Sequence, residues 1–413
     1  MSRQTRGRAL GAIVLGSDYK ALGIVRSLGR QGIPVWVLRD EHAIAAFSRY
    51  CARSLAWPTA GEDEQVAFLL GLGSRHGLDG WALYANDDET AALLARHRAT
   101  LSERFVVTTP SWEILRWAYD KRLTYRCAAA LGVGHPRTEY PANRAELEAT
   151  DIPFPAILKP ALRAEQNPFT MAKAWRVDDR EALLARYDEA TGLVEPSLIM
   201  VQELIPGAGE QQLSYAALCR DGTPIASVVA RRTRQWPMDF GRASTFVETV
   251  DDPEVEATAA LVLARIGYSG IVEVEFKRDP RDGALKLLDI NPRVWGWHSL
   301  GRAAGVDFPF LLWRVLHGEA LPRIRGRVGV RWVRALTDVP TALGEIRAGR
   351  LALGEYLASL RSPIEFAILA ADDPLPALIE VPAALALAWR RRSARQAGRP
   401  MRAALVSGQG EAR

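Results

Sequence analysis

An α/β chain with an open parallel sheet at its N-terminus is predicted by three observations. Residues 11–38 read as strand, helix, strand: GAIVLG is apolar and bounded by Gly, YKALGIVRSLGRQG is amphipathic and Gly-terminated, and IPVWVL is apolar again. The same alternation continues to about Val107. The length of 413 residues, with 48% hydrophobic and 24% charged, is that of a globular chain too large for one core, so two or three domains are expected.

Taken in order, the first domain spans residues 1–115. Beyond the strand-helix-strand unit it holds a helix at 64–75, a strand at 81–84 and a helix at 89–98. The first turn, from Gly16 to Gly23, lacks the GxGxxG spacing that lets backbone approach a pyrophosphate, so it reads as a plain structural turn, with a substrate-binding turn as the alternative. That removes the main support for a dinucleotide-dependent oxidoreductase. A helix over 120–131 stops at Gly132, and the strand PAILKP follows at 155–160. A polar loop (161–172), a helix (181–190) and an apolar strand closed by Pro206-Gly207 come next. Residues 211–250 read as successive strands, 254–266 as a helix, and 271–277 with 284–291 as a strand pair.

Charge excludes several classes. The net +5 comes from the ends: residues 1–10 carry +3 and residues 389–413 carry +6, leaving −4 for residues 11–388. A mildly acidic body offers no field for nucleic acid. Cys51, Cys127 and Cys219 are odd in number and lack CxxC spacing, so free thiols are expected rather than disulfides or zinc. No run reaches the ~18 apolar residues of a membrane span, and no signal stretch opens the chain, so a cytoplasmic location is expected. Residues 375–389 are apolar and run into Arg390-Arg391-Arg392. Such a segment reads either as a packed helix with a frayed end or as a peripheral contact with anionic lipid.

The densest chemistry lies in GIVEVEFKRDPRDGALKLLDINPR, residues 270–293. By the period of two, Glu273, Glu275 and Lys277 share one face, as do Asp289, Asn291 and Arg293. A turn centred on Asp282 sets Glu275 directly opposite Asp289, where like charges destabilise a sheet unless a cation lies between them. Two carboxylates with Asn291 as a third oxygen suit a hard divalent cation, and Arg293 is placed to clamp a phosphate oxygen. A one-residue slip of register would send the two carboxylates to opposite faces.

The order Asp120-Lys121, Ile157-Leu158-Lys159-Pro160, Val201-Gln202-Glu203-Leu204-Ile205-Pro206-Gly207, Val274-Glu275-Phe276-Lys277 and Leu288-Asp289-Ile290-Asn291-Pro292-Arg293 resembles the ATP-grasp superfamily of carboxylate-amine ligases. The resemblance covers about residues 1–320 and is of the D-aspartate ligase or carbamoyl-phosphate synthase large-chain type. It implies an open parallel sheet followed by a two-lobed ATP-grasp fold at 116–325, with a lid lobe at about 155–205 and a C-terminal extension at 326–413. It implies ATP with Mg²⁺ or Mn²⁺, small-molecule carboxylate and amine substrates, and an amide formed through an acyl phosphate. It also admits a phosphotransferase or a nucleotide-binding regulator. Lys121 and Lys159 match phosphate-binding lysines, with Lys173 a further candidate. Gln202, Glu203, Leu204 and Ile205 match the adenine-binding hinge, and Glu210 the ribose acceptor. Glu275, Asp289 and Asn291 match the metal ligands, with Asn291 and Arg293 at the catalytic centre. Asp289 stands where Glu is common, and the 161–172 loop is poor in Gly and Ser.

Arg231 and Arg232, in the cluster Arg231-Arg232-Thr-Arg234-Gln235-Trp236, read either as substrate residues, since guanidinium forks recognise carboxylates, or as a charged strand edge that resists aggregation. Trp295, Trp297 and His298 read either as a substrate wall or as packed core. A homodimer is admitted by the sequence.

Overall fold

A computed structural model describes residues 10–396 apart from 60, 163–166, 173, 237, 239–242 and 362. Three sheets organise it. The first is parallel, in the order β3-β2-β1-β4-β5, from β1 (Ala12–Leu15), β2 (Val35–Arg39), β3 (Cys51–Ala56), β4 (Ala82–Ala85) and β5 (Val106–Val107). β1 and β4 are buried along their whole length, as expected of parallel strands covered on both faces. The edge strand β3 was not legible in the sequence, because CARSLA is half-exposed and has no apolar face.

The turn after β1 has a structural explanation. Gly16 sits at φ +131, where a Cβ would also strike the Asn86 side chain at 2.6 Å. Asp18 then caps the helix Tyr19–Gly29 by accepting from the amides of Lys20 and Ala21. Gly23, inside that helix, lets the His298 ring approach to where a Cβ would be 2.5 Å from it. The two glycines thus serve a turn and a close helix contact, not a pyrophosphate.

The second sheet is small and antiparallel, in the order β6-β9-β7-β8: β6 (Thr138–Glu139), β7 (Ala156–Pro160), β8 (Trp175–Val177) and β9 (Ile199–Glu203). Leu158, Phe169, Leu183 and Tyr187 form its separate core. The 161–172 segment is not all loop: Asn167 caps a short helix, Pro168–Met171.

The third sheet runs β14-β13-β10-β11-β12-β16-β17, with β15 beside β11. It is built from β10 (Gln212–Arg220), β11 (Thr223–Trp236), β12 (Ala243–Thr249), β13 (Gly270–Arg278), β14 (Leu285–Asn291), β15 (Ile324–Arg325), β16 (Arg331–Val333) and β17 (Ile364–Phe366). The helix Pro253–Ile266 covers one face through Val255, Ala259, Val262 and Leu263. The opposite face shares a core with the first sheet: Ala216, Leu218, Trp295, Trp297 and Phe308 lie in one cluster with Val14, Leu22 and Val25. Trp295 and Trp297 are each 1% exposed and His298 2%, so these residues are packed core and form no substrate wall. Burial pushes the His298 imidazole down to about 4. The three cysteines are free.

The chain's end is tied back to its beginning. Asp373 accepts from Arg26 Nε at 2.9 Å, Ser48 Oγ at 2.7 Å and the Arg49 amide at 2.9 Å, with both members of the ion pair buried. Removing one member of such a pair strands the other charge, at a cost of about 3–5 kcal/mol. Asp373→Ala is therefore expected to lower the urea unfolding midpoint sharply, while Arg26→Met combined with Asp373→Ala recovers part of the loss.

Candidate functional site

The site begins with the β13–β14 hairpin. Glu275 does face Asp289, and Glu273 faces Asn291. The route to that register differs from a simple turn centred on Asp282. Phe276 pairs with Leu287 and Lys277 with Lys286, so the turn end of the hairpin is one residue short. Leu288 is the extra residue that restores the pairing, a β-bulge on β14. Without it Glu275 would face Leu288. The bulge carbonyl is held by the Tyr125 hydroxyl at 2.7 Å, from the helix Lys121–Ala130.

The cations that the opposed carboxylates require are side chains. Lys121 Nζ lies 2.5 Å from Asp289 Oδ1. Arg232 Nη1 lies 2.5 Å from Glu275 Oε2, while its Nε bonds Ser244 Oγ. Arg232 is buried; desolvation alone would lower its pKa, but Glu275 and Glu273 raise it above the usual value. Asn291 Nδ2 bridges Glu273 Oε2 at 3.0 Å and Glu275 Oε1 at 2.8 Å, and Asn291 Oδ1 accepts from Arg293. Arg293 in turn pairs with Asp88 at 3.0 Å, at the N-terminus of the helix Asp88–Arg96 beyond β4. Two predicted metal ligands, a predicted lysine and the predicted Asn291–Arg293 pair are thus gathered at one end of one hairpin.

Of the two candidate substrate arginines, only Arg232 reaches this cluster, as a counter-ion to Glu275. Arg231 is exposed, points to the other face of β11 and stands opposite Glu248. Strand alternation makes that separation unavoidable for adjacent residues.

Lys159 lies near the end of β7, its Nζ 6.0 Å from the centre of the Tyr125 ring. Lys173 lies outside the described residues. Gln202 is buried and bonds Thr138. The Glu203 carboxylate is not open to a ligand: it accepts from the Arg137 amide at 2.8 Å and from Arg281 at 2.9 Å. Leu204 donates its amide to Pro155, and the Ile205 carbonyl accepts from Lys277 Nζ at 2.8 Å. Lys277 also holds the Gly207 carbonyl at 2.7 Å. The segment 203–207 is therefore clamped to the hairpin base by Lys277 and Arg281. Glu210 is exposed, in the turn Gly209–Gln211.

Glu273 is the residue that sequence reasoning placed on the right face but left without a role. It is 2% exposed, and its Oε1 has no hydrogen-bond partner. Burial, and then the neighbouring Glu275, push its carboxyl up to about 7. Asp88, Lys277 and Arg281 were missed because their partners lie far away in sequence. Among the described residues no three His, Cys, Asp or Glu side chains are gathered closely enough to enclose an ion. The donors at the hairpin end are all oxygen, two carboxylates and an amide, with one further carboxylate oxygen left orphaned. That set fits Mg²⁺, which uses one or two carboxylates and completes its shell from phosphate and water.

Because Glu273 binds its proton more tightly folded than unfolded, folding stability falls as pH rises from its ordinary 4.5 towards 7. Glu273→Gln is expected to flatten that fall. Urea midpoints at pH 5 and pH 8 in chelator should differ less in the variant than in the wild type.

Residues 195–336 match a protein-family model described as ATP-grasp in the biosynthetic pathway with Ter operon. The chain is 24% identical over 300 residues to the D-aspartate ligase of Enterococcus faecium (strain Aus0004), covering 68% of this chain and 70% of that protein. The fold matches an L-amino acid ligase from Bacillus licheniformis with TM-score 0.58 and 14% identity, over 75% of both chains. It also matches the biotin carboxylase domain of 2-oxoglutarate carboxylase from Hydrogenobacter thermophilus, crystallised with MgADP, with TM-score 0.61 and 16% identity over 78% and 74% of the two chains. The hairpin end lies within the segment that matches the ATP-grasp family model, and the chain shares its fold with these ligase and carboxylase structures.

Proposed function

We propose that this chain is an ATP-dependent carboxylate-amine ligase that forms an amide through an acyl phosphate and releases ADP and phosphate. The observation that carries the reading is the hairpin end, where Glu275 and Asp289 face each other and are neutralised by Arg232 and Lys121. Mg²⁺, or Mn²⁺ as a second hard cation, would be held by Glu275, Asp289 and Asn291 and would neutralise phosphate charge. Lys121, freed from Asp289 by a bound metal, would reach phosphate together with Lys159 and Lys173. The backbone of Gln202, Glu203, Leu204 and Ile205 would meet adenine, and Glu210 the ribose. Ligase relatives in two comparisons support the reaction class.

In the first step a substrate carboxylate oxygen attacks the γ-phosphorus and the bond to ADP breaks. Arg293, oriented by Asp88 and Asn291, is positioned to stabilise the developing charge. In the second step an unprotonated amine attacks the acyl carbon, phosphate leaves with the C–O bond pair, and the amine gives up a proton. The protein's part is positioning and charge neutralisation. The dependence on ATP suits a cytoplasmic setting.

The test is ADP and AMP release from Mg²⁺-ATP with pooled amino and organic acids, with hydroxylamine as a trap. ADP accompanied by a hydroxamate is expected. AMP would replace the acyl phosphate with an adenylate, and ADP with a stable phosphorylated product and no hydroxamate would make the chain a phosphotransferase. Arg293→Ala is expected to lower kcat by about 100- to 1000-fold, as for loss of a transition-state donor, with little change in KM for ATP. Lys159→Ala should instead raise that KM.

A further inference from the structure

The C-terminal helix, Leu375–Gln396, is bound on one side and bare on the other. Its inner side, with Ile379, Glu380, Ala383, Leu387 and Arg391 partly buried, lies against the turn Ile44–Phe47. Arg391 pairs with Glu41 there, and Glu380 lies 3.6 Å from Arg334. On the outer side Leu378, Val381, Leu385 and Trp389 are 72%, 51%, 66% and 71% exposed. Their spacing of three, four and four is that of a stripe meant for burial, yet among the described residues nothing covers it.

The charge beside the stripe is of one sign. Arg390 and Arg392 flank Trp389 and are exposed, and Arg395, Arg399 and Arg402 follow in the sequence. Glu380 is the one acid in the helix, and it faces inward to Arg334. A second copy of this face would therefore bring no counter-charge to the arginines. A surface of anionic headgroups over an acyl layer supplies both the apolar contact and the charge. The body, net −4 over residues 11–388, would be held off such a surface while the cationic end is drawn to it.

We propose that the outer face of this helix docks on an anionic lipid bilayer, with Leu378, Val381 and Leu385 in the acyl boundary, Trp389 at the interface and Arg390 and Arg392 on the headgroups. No helix among the described residues is long and apolar enough to cross a membrane, so the helix lies on the bilayer and does not span it.

The full chain is sedimented with vesicles of phosphatidylcholine alone and of phosphatidylcholine mixed with phosphatidylglycerol. Binding to the mixed vesicles only is expected. Leu385→Asp should abolish it, and Arg390→Ser with Arg392→Ser should weaken it about thirtyfold. All three positions are exposed, so an unchanged thermal midpoint shows that these variants remain folded. Absence of sedimentation with mixed vesicles overturns the proposal, and a concentration-dependent dimer lost in Leu385→Asp would then identify the stripe as a self-interface. Binding that survives Leu385→Asp also overturns it, because charge alone then accounts for the association.

Discussion

Two carboxylates on adjacent strands, Glu275 and Asp289, face each other at the end of one hairpin, and the polar side chains gathered around that end answer the repulsion. Left alone, opposed like charges would push the strands apart. Here Lys121 comes from a helix 168 residues earlier, and Arg232 from a strand 43 residues earlier. Asn291 ties Glu275 to Glu273, and Arg293 ties Asn291 to Asp88, at the start of the helix that follows β4 of the first sheet. A locally unfavourable arrangement is thereby made the meeting point of three separate parts of the chain. It is also a ready acceptor for a cation and for anionic groups that exchange places with these side chains.

The hairpin organises its surroundings at the other end too. Asp279, fully buried, orients Arg281, whose guanidinium reaches Glu203, while Lys277 holds the carbonyls of Ile205 and Gly207. The strand leading out of the small sheet is thus fixed against the large one by charge-assisted bonds, which are stronger than neutral ones. The small sheet keeps a core of its own, and these contacts, with Met200 clustered beside Tyr125, join it to the body. A strand so held has its side-chain carboxylate spent on structure.

Much of the fold was legible because it is written in local periodicity. Strands β1, β2, β4, β7, β9, β13 and β14 and the helices between them follow from apolar runs, caps and terminal glycines. β3 was not legible, since an edge strand with little apolar pattern earns its pairing from β2 alone. The helix Pro168–Met171 was hidden because four residues are too few for a period to appear. At the site, residue types and spacing marked Glu275, Asp289, Asn291 and Arg293, whereas the orphaned Glu273 carboxylate and the Arg281–Glu203 bond arise only from packing.

What the sequence alone determined is the alternation that puts Glu275, Asp289 and Asn291 on one edge, the resemblance to the ATP-grasp superfamily, and the segregation of positive charge to its ends. The tertiary structure decided three things. It decided the register, because a single bulge at Leu288, held by Tyr125, brings Asp289 opposite Glu275. It decided which arginine serves the site, because strand alternation sends Arg231 and Arg232 to opposite faces and only one of those faces carries the carboxylates. And it decided that, among the described residues, the terminal helix keeps an uncovered apolar stripe, because there only its inner face finds partners on the body. Local sequence specifies which way a side chain points from its own strand or helix; what lies opposite is set by segments far along the chain.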